Sequence, residues 1–197
     1  TYNHPLIPVL QDPDSPQDTH NRLGSTSEER LSKAPTNREK GFLRAAEAFA
    51  FTEGSLGDKR LAWMYAMLDL YEEFPEDREV IAFTAVAMLS GATVSKDNRV
   101  LNNFLTESGT EISMQAGAMA MDIFRENPNH PGAAHYIIHS FDHPTYAPLA
   151  LSAAEKYASI APAVSHARHM PTHIFIQHGM WDRVAEWNDS AFLACLL

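Results

Sequence analysis

The stretch HIFIQHGMWDRVAEWNDSAF, residues 173–192, carries the clearest fold signal in the chain. Apolar residues recur every three or four positions on both sides of Gly179, which is the spacing of an amphipathic helix. A glycine at this place is typical of a helix end, and the aromatic Trp181 starts a second helical pattern. The stretch therefore predicts two consecutive helices that form a hairpin.

Prolines divide the preceding sequence in the same way. The segments LYEEFPED, IFRENPNHPG and YASIAPAVS each end a helical pattern with a proline and begin the next within a few residues. Pro128 and Pro162 are 34 positions apart, the period of the tetratricopeptide repeat (TPR), a helix–turn–helix unit that stacks into a superhelix. Gly179, Trp181 and Ala191 fit the glycine, aromatic and alanine positions of that repeat.

The sequence thus predicts an all-α fold, a helical-hairpin solenoid of the TPR-like superhelix type, over residues 39–197. An α-bundle with accidental spacing is the alternative. The longer interval before Pro128 predicts an insertion near 91–110. Residues 1–38 are rich in Pro, Asp, Ser and Asn and predict an irregular N-terminal extension, apart from a short helix near 27–33. The predicted helices cover 41–51, 59–74, 77–89, 112–125, 131–141, 147–158, 165–178 and 181–196.

Composition limits the function classes. A formal net charge of −10 and a pI of about 5.4 argue against a nucleic-acid partner, which favours a basic face. A hydrophobic fraction of 45% is typical of a soluble globular protein, and no apolar run is long enough for a membrane segment. The single cysteine, Cys195, excludes a cysteine-rich metal site, so a bound metal would depend on imidazole and carboxylate ligands.

Eight of the ten histidines lie within residues 130–178. His135 and His139 recur at an offset of 34 as His169 and His173, so each pair occupies the same place in consecutive repeats. Histidines four residues apart project from one face of a helix. Stacked repeats would bring the four imidazoles together on first helices, which line the concave groove of such solenoids. We expect these four side chains to bind a metal ion.

Other residues extend the predicted site. His166 lies one helical turn before His169, and His130 opens the helix that carries His135, so both are predicted ligands. Arg168 would disfavour a cation unless it faces away or pairs with an anion. His178 lies on the opposite side of its helix and is excluded. Further predicted contributors, either as ligands or as groups that orient them, are Asp142, Glu155, His143, Tyr136 and Tyr146.

Imidazole ligands favour Zn or Cu, with Fe or Ni as further candidates, whereas Ca and Mg prefer oxygen. The sequence contains no HExxH, phosphate-binding loop or GxSxG motif, so it assigns no reaction, although an open coordination position would permit a metalloenzyme. Two alternatives stay open. The histidines could form a hydrogen-bonded network that only stabilises the fold, or they could line a groove that binds a peptide or small molecule without metal, as in an interaction adaptor.

The motifs HPGxxHYxIHxxD, at 130–142, and HxxHMPxHIF, at 166–175, resemble those of a family of bacterial TPR-like proteins, mostly uncharacterised. The resemblance covers about 39–197. It is weaker over 1–38, where NHPL at His4 is similar to a His-Pro segment of the family. It implies the TPR fold and the same six histidines, whereas His143 stands where relatives more usually have aspartate. Relatives are typically longer and often have an export signal, so the resemblance implies a piece of a longer bacterial protein, which would be exported to the periplasm if the full-length chain carries such a signal.

Overall fold

A computed structural model describes residues 15–94 and 107–196. The chain divides into two compact units, Thr1–Thr110 and Glu111–Leu197. Every secondary-structure element of the described residues is a helix, which confirms the predicted all-α class. Within the same residues, no helix combines the length and the apolar character that crossing a membrane requires.

The first unit contains five helices in its described part: α1 (Ser15–Leu23), α2 (Ser27–Ser32), α3 (Asn37–Phe51), α4 (Leu56–Glu73) and α5 (Arg78–Ala92). Capping boxes begin α3 and α4, since Thr36 and Ser55 each accept a backbone N–H while Glu39 and Asp58 bind back to the cap residue. Helix α4 packs between α3 and α5, and these three helices bury Met67, Leu70 and Val80.

The N-terminal extension is more regular than the sequence predicts. The short helix near 27–33 is confirmed as α2, but α1 was not predicted, and residues 15–23 are helical rather than irregular. Helix α1 is held by tertiary contacts, because Gln17 donates to the Ala50 carbonyl at 2.9 Å and the His20 ring meets Phe51 edge-on at 5.7 Å. Local composition does not report such contacts.

The insertion predicted near 91–110 lies partly outside the described residues. Residues 91–92 end α5, and residues 107–110 belong to the first turns of α6 (Glu107–Glu126). Residues 91–92 and 107–110 of the predicted insertion are therefore helical, residues 93–94 follow the end of α5, and residues 95–106 fall outside the described part of the chain.

The second unit continues with α7 (Pro131–Ser140), a 3-10 turn (Ala147–Ala150), α8 (Leu151–Ile160), α9 (Ser165–His169), α10 (Pro171–Gln177) and α11 (Trp181–Ala194). The single helix predicted over 165–178 is divided at Met170, because Pro171 has no N–H to donate. Met170 keeps helical angles, with φ −53° and ψ −39°, so the chain continues in the same direction. Gly179, at φ 68°, ends α10 as predicted from the opening stretch.

The core of the second unit joins α7, α8, α9 and α10. Ile137 and Ile138 of α7 and Ile174 and Phe175 of α10 are fully buried with Phe141. Alanines on α7 and α8 keep the helix axes close, since a small side chain allows close backbone approach. The face of α7 opposite this core carries His135 and His139, so the position of these two side chains is fixed by the core beneath them.

A close approach at Gly117 provides a test of this packing. A Cβ atom at Gly117 on α6 would lie 2.5 Å from Cζ of Phe141 and 2.9 Å from Cβ of Ser140. Glycine to alanine in a helix usually stabilises by about 0.5–1 kcal/mol, but an overpacked contact costs about 1–3 kcal/mol. We predict that Gly117→Ala lowers the free energy of unfolding in urea denaturation. An unchanged or increased free energy would contradict this account of the contact between α6 and the end of α7.

Candidate metal centre

Five half-buried imidazoles of the second unit form a closed circuit of ring contacts, here called the five-histidine cluster. The distances between ring centroids run 4.7 Å, 6.3 Å, 5.0 Å, 6.4 Å and 5.0 Å around the circuit. In that order, the contacts join His135 to His139, His139 to His173, His173 to His169, His169 to His166, and His166 back to His135. The structure thus brings together all four histidines of the two predicted pairs, with His166 as the fifth member.

Three of these side chains converge most tightly. Nε2 of His135 lies 3.0 Å from Nε2 of His139 and 3.2 Å from Nε2 of His166. Each of the three residues offers a donor atom within 4.8 Å of the other two, so small movements of the side chains would bring all three to one metal ion. We call His135, His139 and His166 the triad. It combines one predicted pair with a histidine from the next helix segment.

The remaining two members form a second close contact. Nε2 of His169 lies 3.1 Å from Nε2 of His173. On their outer sides, Nδ1 of His169 lies 2.8 Å from Oδ1 of Asn188, and Nδ1 of His173 lies 2.8 Å from Oδ2 of Asp142. We call His169 and His173 the pair. Both imidazoles are therefore anchored through Nδ1 and direct Nε2 toward each other.

Local backbone structure explains this arrangement. His135 and His139 lie one turn apart on α7, and their rings point to the same side. His169 ends α9 and His173 lies in α10, so they stand on either side of Pro171 rather than within one uninterrupted helix. The helical angles of Met170 preserve the one-turn relation between them.

His130 lies at the start of α7 as expected, but the contact seen for it there is with the backbone and not with another imidazole. It is the N-cap of α7, where its Nδ1 accepts a hydrogen bond from the N–H of Ala133 at 3.0 Å. The cap satisfies a backbone donor at the start of the helix that carries two of the triad histidines. His130 is thus placed to position α7, and it is not one of the five rings in the circuit.

The other predicted contributors separate into two groups. Asp142 binds His173, and Tyr136 stacks on His135 with ring centroids 5.9 Å apart. The others make contacts away from the five rings. Nδ1 of His143 accepts a hydrogen bond from the N–H of Thr145, and the His143 ring contacts Tyr146. The Arg168 guanidinium donates to the Pro162 carbonyl and to Ser190 Oγ, and Glu155 forms an ion pair with Arg183. His178, which was excluded, contacts the carbonyl of its own helix through Nδ1.

Three residues that shape the cluster were not predicted from the sequence. Tyr157 on α8 is buried and stacks on His135 at 5.3 Å, with the rings only 14° from parallel. Asn188 on α11 holds His169, and Gln177 donates to Oδ1 of Asp142 at 3.2 Å. Each contact depends on how α8, α10 and α11 pack, and no spacing rule links these residues to the histidine motifs.

Burial determines the charge state of the central imidazole. It lowers the pKa of His135 to about 2, and the positive charges that His139 and His166 would carry lower it further. His135 is therefore neutral at physiological pH, the form that binds metal. Burial likewise raises the pKa of Tyr157 to about 12, with a smaller contribution from Tyr136, so the phenol beneath His135 stays protonated.

Asp142 is held as an anion. Burial acts to raise the pKa of its carboxyl group, but the hydrogen bond and charge of His173 and the bond from Gln177 together outweigh burial and lower it. Its side chain is 28% exposed. An ionised carboxylate behind a histidine is the common arrangement for orienting a metal-binding imidazole.

The first unit contains a separate feature, a pocket with a volume of about 530 Å³. Its walls are mostly aromatic and apolar, and Arg38 and Glu79 add charged groups. Phe83 on α5 is 43% exposed and lines this pocket. The apolar lining residues include Phe42, Phe49, Trp63, Met67 and Phe83.

Comparisons of the chain with protein-family models, with curated proteins and with solved structures found no match. The functional proposals below therefore depend on the geometry of the five-histidine cluster.

The lowered pKa of His135 predicts a pH-dependent stability. Unfolded His135, with a pKa of about 6.5, binds a proton as the pH falls, whereas the folded side chain stays neutral. The contribution of folded His135 to stability is therefore present above pH 6.5 and is lost as pH falls toward 2. In EDTA, we predict that His135→Gln makes the free energy of unfolding fall less steeply between pH 7 and pH 5, by at most one proton, about 1.4 kcal/mol per pH unit. Urea denaturation at several pH values measures this slope. Equal slopes in the two proteins would show that His135 titrates alike in the folded and unfolded states.

Proposed function

We propose that the protein binds a transition metal ion, Zn or Cu, through Nε2 of His135, His139 and His166. Iron and nickel also accept imidazole, but a site of neutral imidazoles without thiolate is most typical of Zn and Cu. The observation that carries the proposal is the separation of 3.0 Å and 3.2 Å between Nε2 of His135 and its two neighbours.

The separations fit coordination of one ion. Zn–N bonds are about 2.0–2.1 Å, and tetrahedral angles then place two ligand nitrogens about 3.3 Å apart. The two distances at His135 are within a few tenths of an ångström of that value. Small rotations of the rings would therefore suffice to enclose an ion.

The hydrogen-bonding capacity of imidazole also favours an ion. Nε2 of a neutral imidazole carries either one proton or one in-plane lone pair. Nε2 of His135 has two close nitrogen neighbours, and a single proton or lone pair can make a good linear hydrogen bond with only one of them. A cation among the three nitrogens accepts a lone pair from each. This is the physical reason to prefer metal over a purely hydrogen-bonded network.

Three protein ligands leave a coordination position open. Catalytic zinc sites keep such a position for water or substrate, whereas structural zinc sites are closed by four protein ligands. The proposal therefore extends to a metalloenzyme whose metal activates water or another small ligand, with no reaction assigned. The neutral phenol of Tyr157, stacked on His135, would help to fix the orientation of that imidazole.

We also propose that the second unit is part of a TPR-like solenoid and that the chain belongs with the bacterial proteins that its histidine motifs resemble. Consecutive helix hairpins support this proposal, α7 with α8 and α9–α10 with α11. Two side-chain contacts, His135 with His166 and Asp142 with His173, join positions 31 residues apart in these successive hairpins.

Metal analysis of three proteins tests the metal proposal. Wild type, His135→Ala and His178→Ala are produced without a histidine tag or nickel resin, loaded with Zn²⁺ or Cu²⁺, and dialysed before elemental analysis. Wild type and His178→Ala are expected to retain metal, whereas His135→Ala is expected to retain at least one ion fewer, because it lacks the nitrogen that lies close to both other ligand atoms of the triad. The His178 variant is the matched control, since it also removes a histidine of the second unit but lies outside the cluster.

Two results would count against the proposal. Near-zero metal in all three proteins would leave the cluster as a hydrogen-bonded network, and equal retention in all three would place the metal elsewhere. The adaptor alternative predicts that a peptide ligand still binds in EDTA. Circular dichroism of each variant confirms that metal loss does not reflect unfolding.

A further inference from the structure

We infer that the pair, His169 and His173, holds a second Zn or Cu ion beside the first, so that the five-histidine cluster is a dinuclear centre. This inference rests on the proposed function, because it takes the triad as the first metal position. The distinct evidence is the hydrogen bonding on the outer side of the pair, which sets the tautomer of each imidazole.

The contact with Asp142 assigns the proton of His173. An ionised carboxylate only accepts hydrogen bonds, so Nδ1 of His173 is the donor in the 2.8 Å contact with Oδ2. Gln177 donates to the other oxygen of Asp142 and keeps the carboxylate in place. In the neutral ring, a proton on Nδ1 leaves Nε2 with a lone pair. Nε2 of His173 is thus prepared as a metal ligand.

The contact with Asn188 assigns the proton of His169 in the same way. With Oδ1 of the Asn188 amide 2.8 Å from Nδ1 of His169, this nitrogen carries the proton, because an amide oxygen only accepts. Nε2 of His169 then also carries a lone pair. Both outer partners are acceptors, and they impose the same tautomer on both rings of the pair.

When both rings of the pair are neutral, the two lone pairs cannot face each other without a cation between them. Nε2 of His169 and Nε2 of His173 are 3.1 Å apart, a distance at which two lone pairs without a proton between them repel. A cation between them removes this repulsion, because each Nε2 donates its lone pair to the cation. The separation is again close to the value of about 3.3 Å for two nitrogens on one tetrahedral zinc.

The pair belongs to a position separate from the triad. Donor atoms on one ion with bonds of about 2.0–2.1 Å are at most about 4.2 Å apart, even when they lie on opposite sides of it. Among the described residues, the group of three whose donor atoms all lie within 4.8 Å of one another is His135, His139 and His166, and neither His169 nor His173 belongs to it. The rings of His173 and His169 nevertheless contact His139 and His166, at 6.3 Å and 6.4 Å, so the two positions are neighbours.

Charge and coordination also suit a second ion. Asp142 places a negative charge behind His173, which offsets part of the repulsion between two divalent ions. Two imidazoles leave the second ion with open positions for a small oxygen-donor ligand, such as water or hydroxide, that can bridge it to the first ion. Paired metals that share such a ligand are common in hydrolytic sites.

A reversed Asn188 amide is the competing arrangement. Its Nδ2 would then donate to Nδ1 of His169, Nε2 of His169 would carry the proton, and the pair would form an ordinary hydrogen bond with no ion. Asn188→Asp removes this option, because a carboxylate only accepts, whereas Asn188→Leu removes the oxygen that orients the ring.

Zn²⁺ titration of metal-free protein, followed by native mass spectrometry and calorimetry, tests the inference. Wild type and the His178→Ala control are expected to bind two Zn²⁺, and His173→Ala is expected to bind one. Asn188→Asp should bind the second ion at least as tightly as wild type, whereas Asn188→Leu should bind it about tenfold more weakly, the usual effect of losing a group that orients a ligand.

The outcomes separate the two proposals. One Zn²⁺ in wild type that His173→Ala retains would overturn the second ion and leave the triad site intact. One Zn²⁺ that both His135→Ala and His173→Ala lose would show a single shared site and would also overturn the inference. Binding of neither Zn²⁺ nor, in a matched titration, Cu²⁺ by wild type would refute both proposals. Asn188→Leu, which changes an exposed residue, provides the result if His173→Ala fails to fold.

Discussion

The contact of Nε2 of His135 with two other imidazole nitrogens is the constraint on which the site depends. This contact requires that His135 and His139 lie on one face of α7. It also requires that His166 of α9, in the next hairpin, lies against that face. The buried side chains Ile137 and Ile138 on the other face of α7 fix the rotation of that helix. A small change in this rotation would separate all three nitrogens, so the chemistry of the cluster is a direct product of the core packing.

The surroundings of the cluster divide into a dry side and a polar side. Tyr157 is buried and stacks on His135, and this environment keeps the imidazole neutral. Asp142 and Asn188 lie on the more exposed side and bind the two histidines of the pair through Nδ1. The triad and the pair thus differ in what acts on their imidazoles. Desolvation acts at His135, and hydrogen-bond acceptors act at His169 and His173.

The sequence predicted the helical class and the histidines that meet, because both depend on periodicity. A four-residue spacing fixes which side chains share a helix face, and the offset of 34 placed both predicted pairs in one cluster. It did not predict that His166 would complete the tightest group or that His130 would cap α7, because these depend on the crossing of two helices and on the local backbone. Tyr157 and Asn188 lie on helices brought to the cluster only by tertiary packing. The unpredicted helix α1 has the same cause, since its contacts are with distant residues of α3.

The central claim is that the three Nε2 atoms of the triad share one metal ion. Crystals of the protein grown with Zn²⁺, measured above and below the zinc absorption edge, test it most directly. The account predicts an anomalous difference peak about 2.0–2.1 Å from Nε2 of His135, His139 and His166. Crystals that contain zinc but show no peak within bonding distance of these nitrogens would contradict the account.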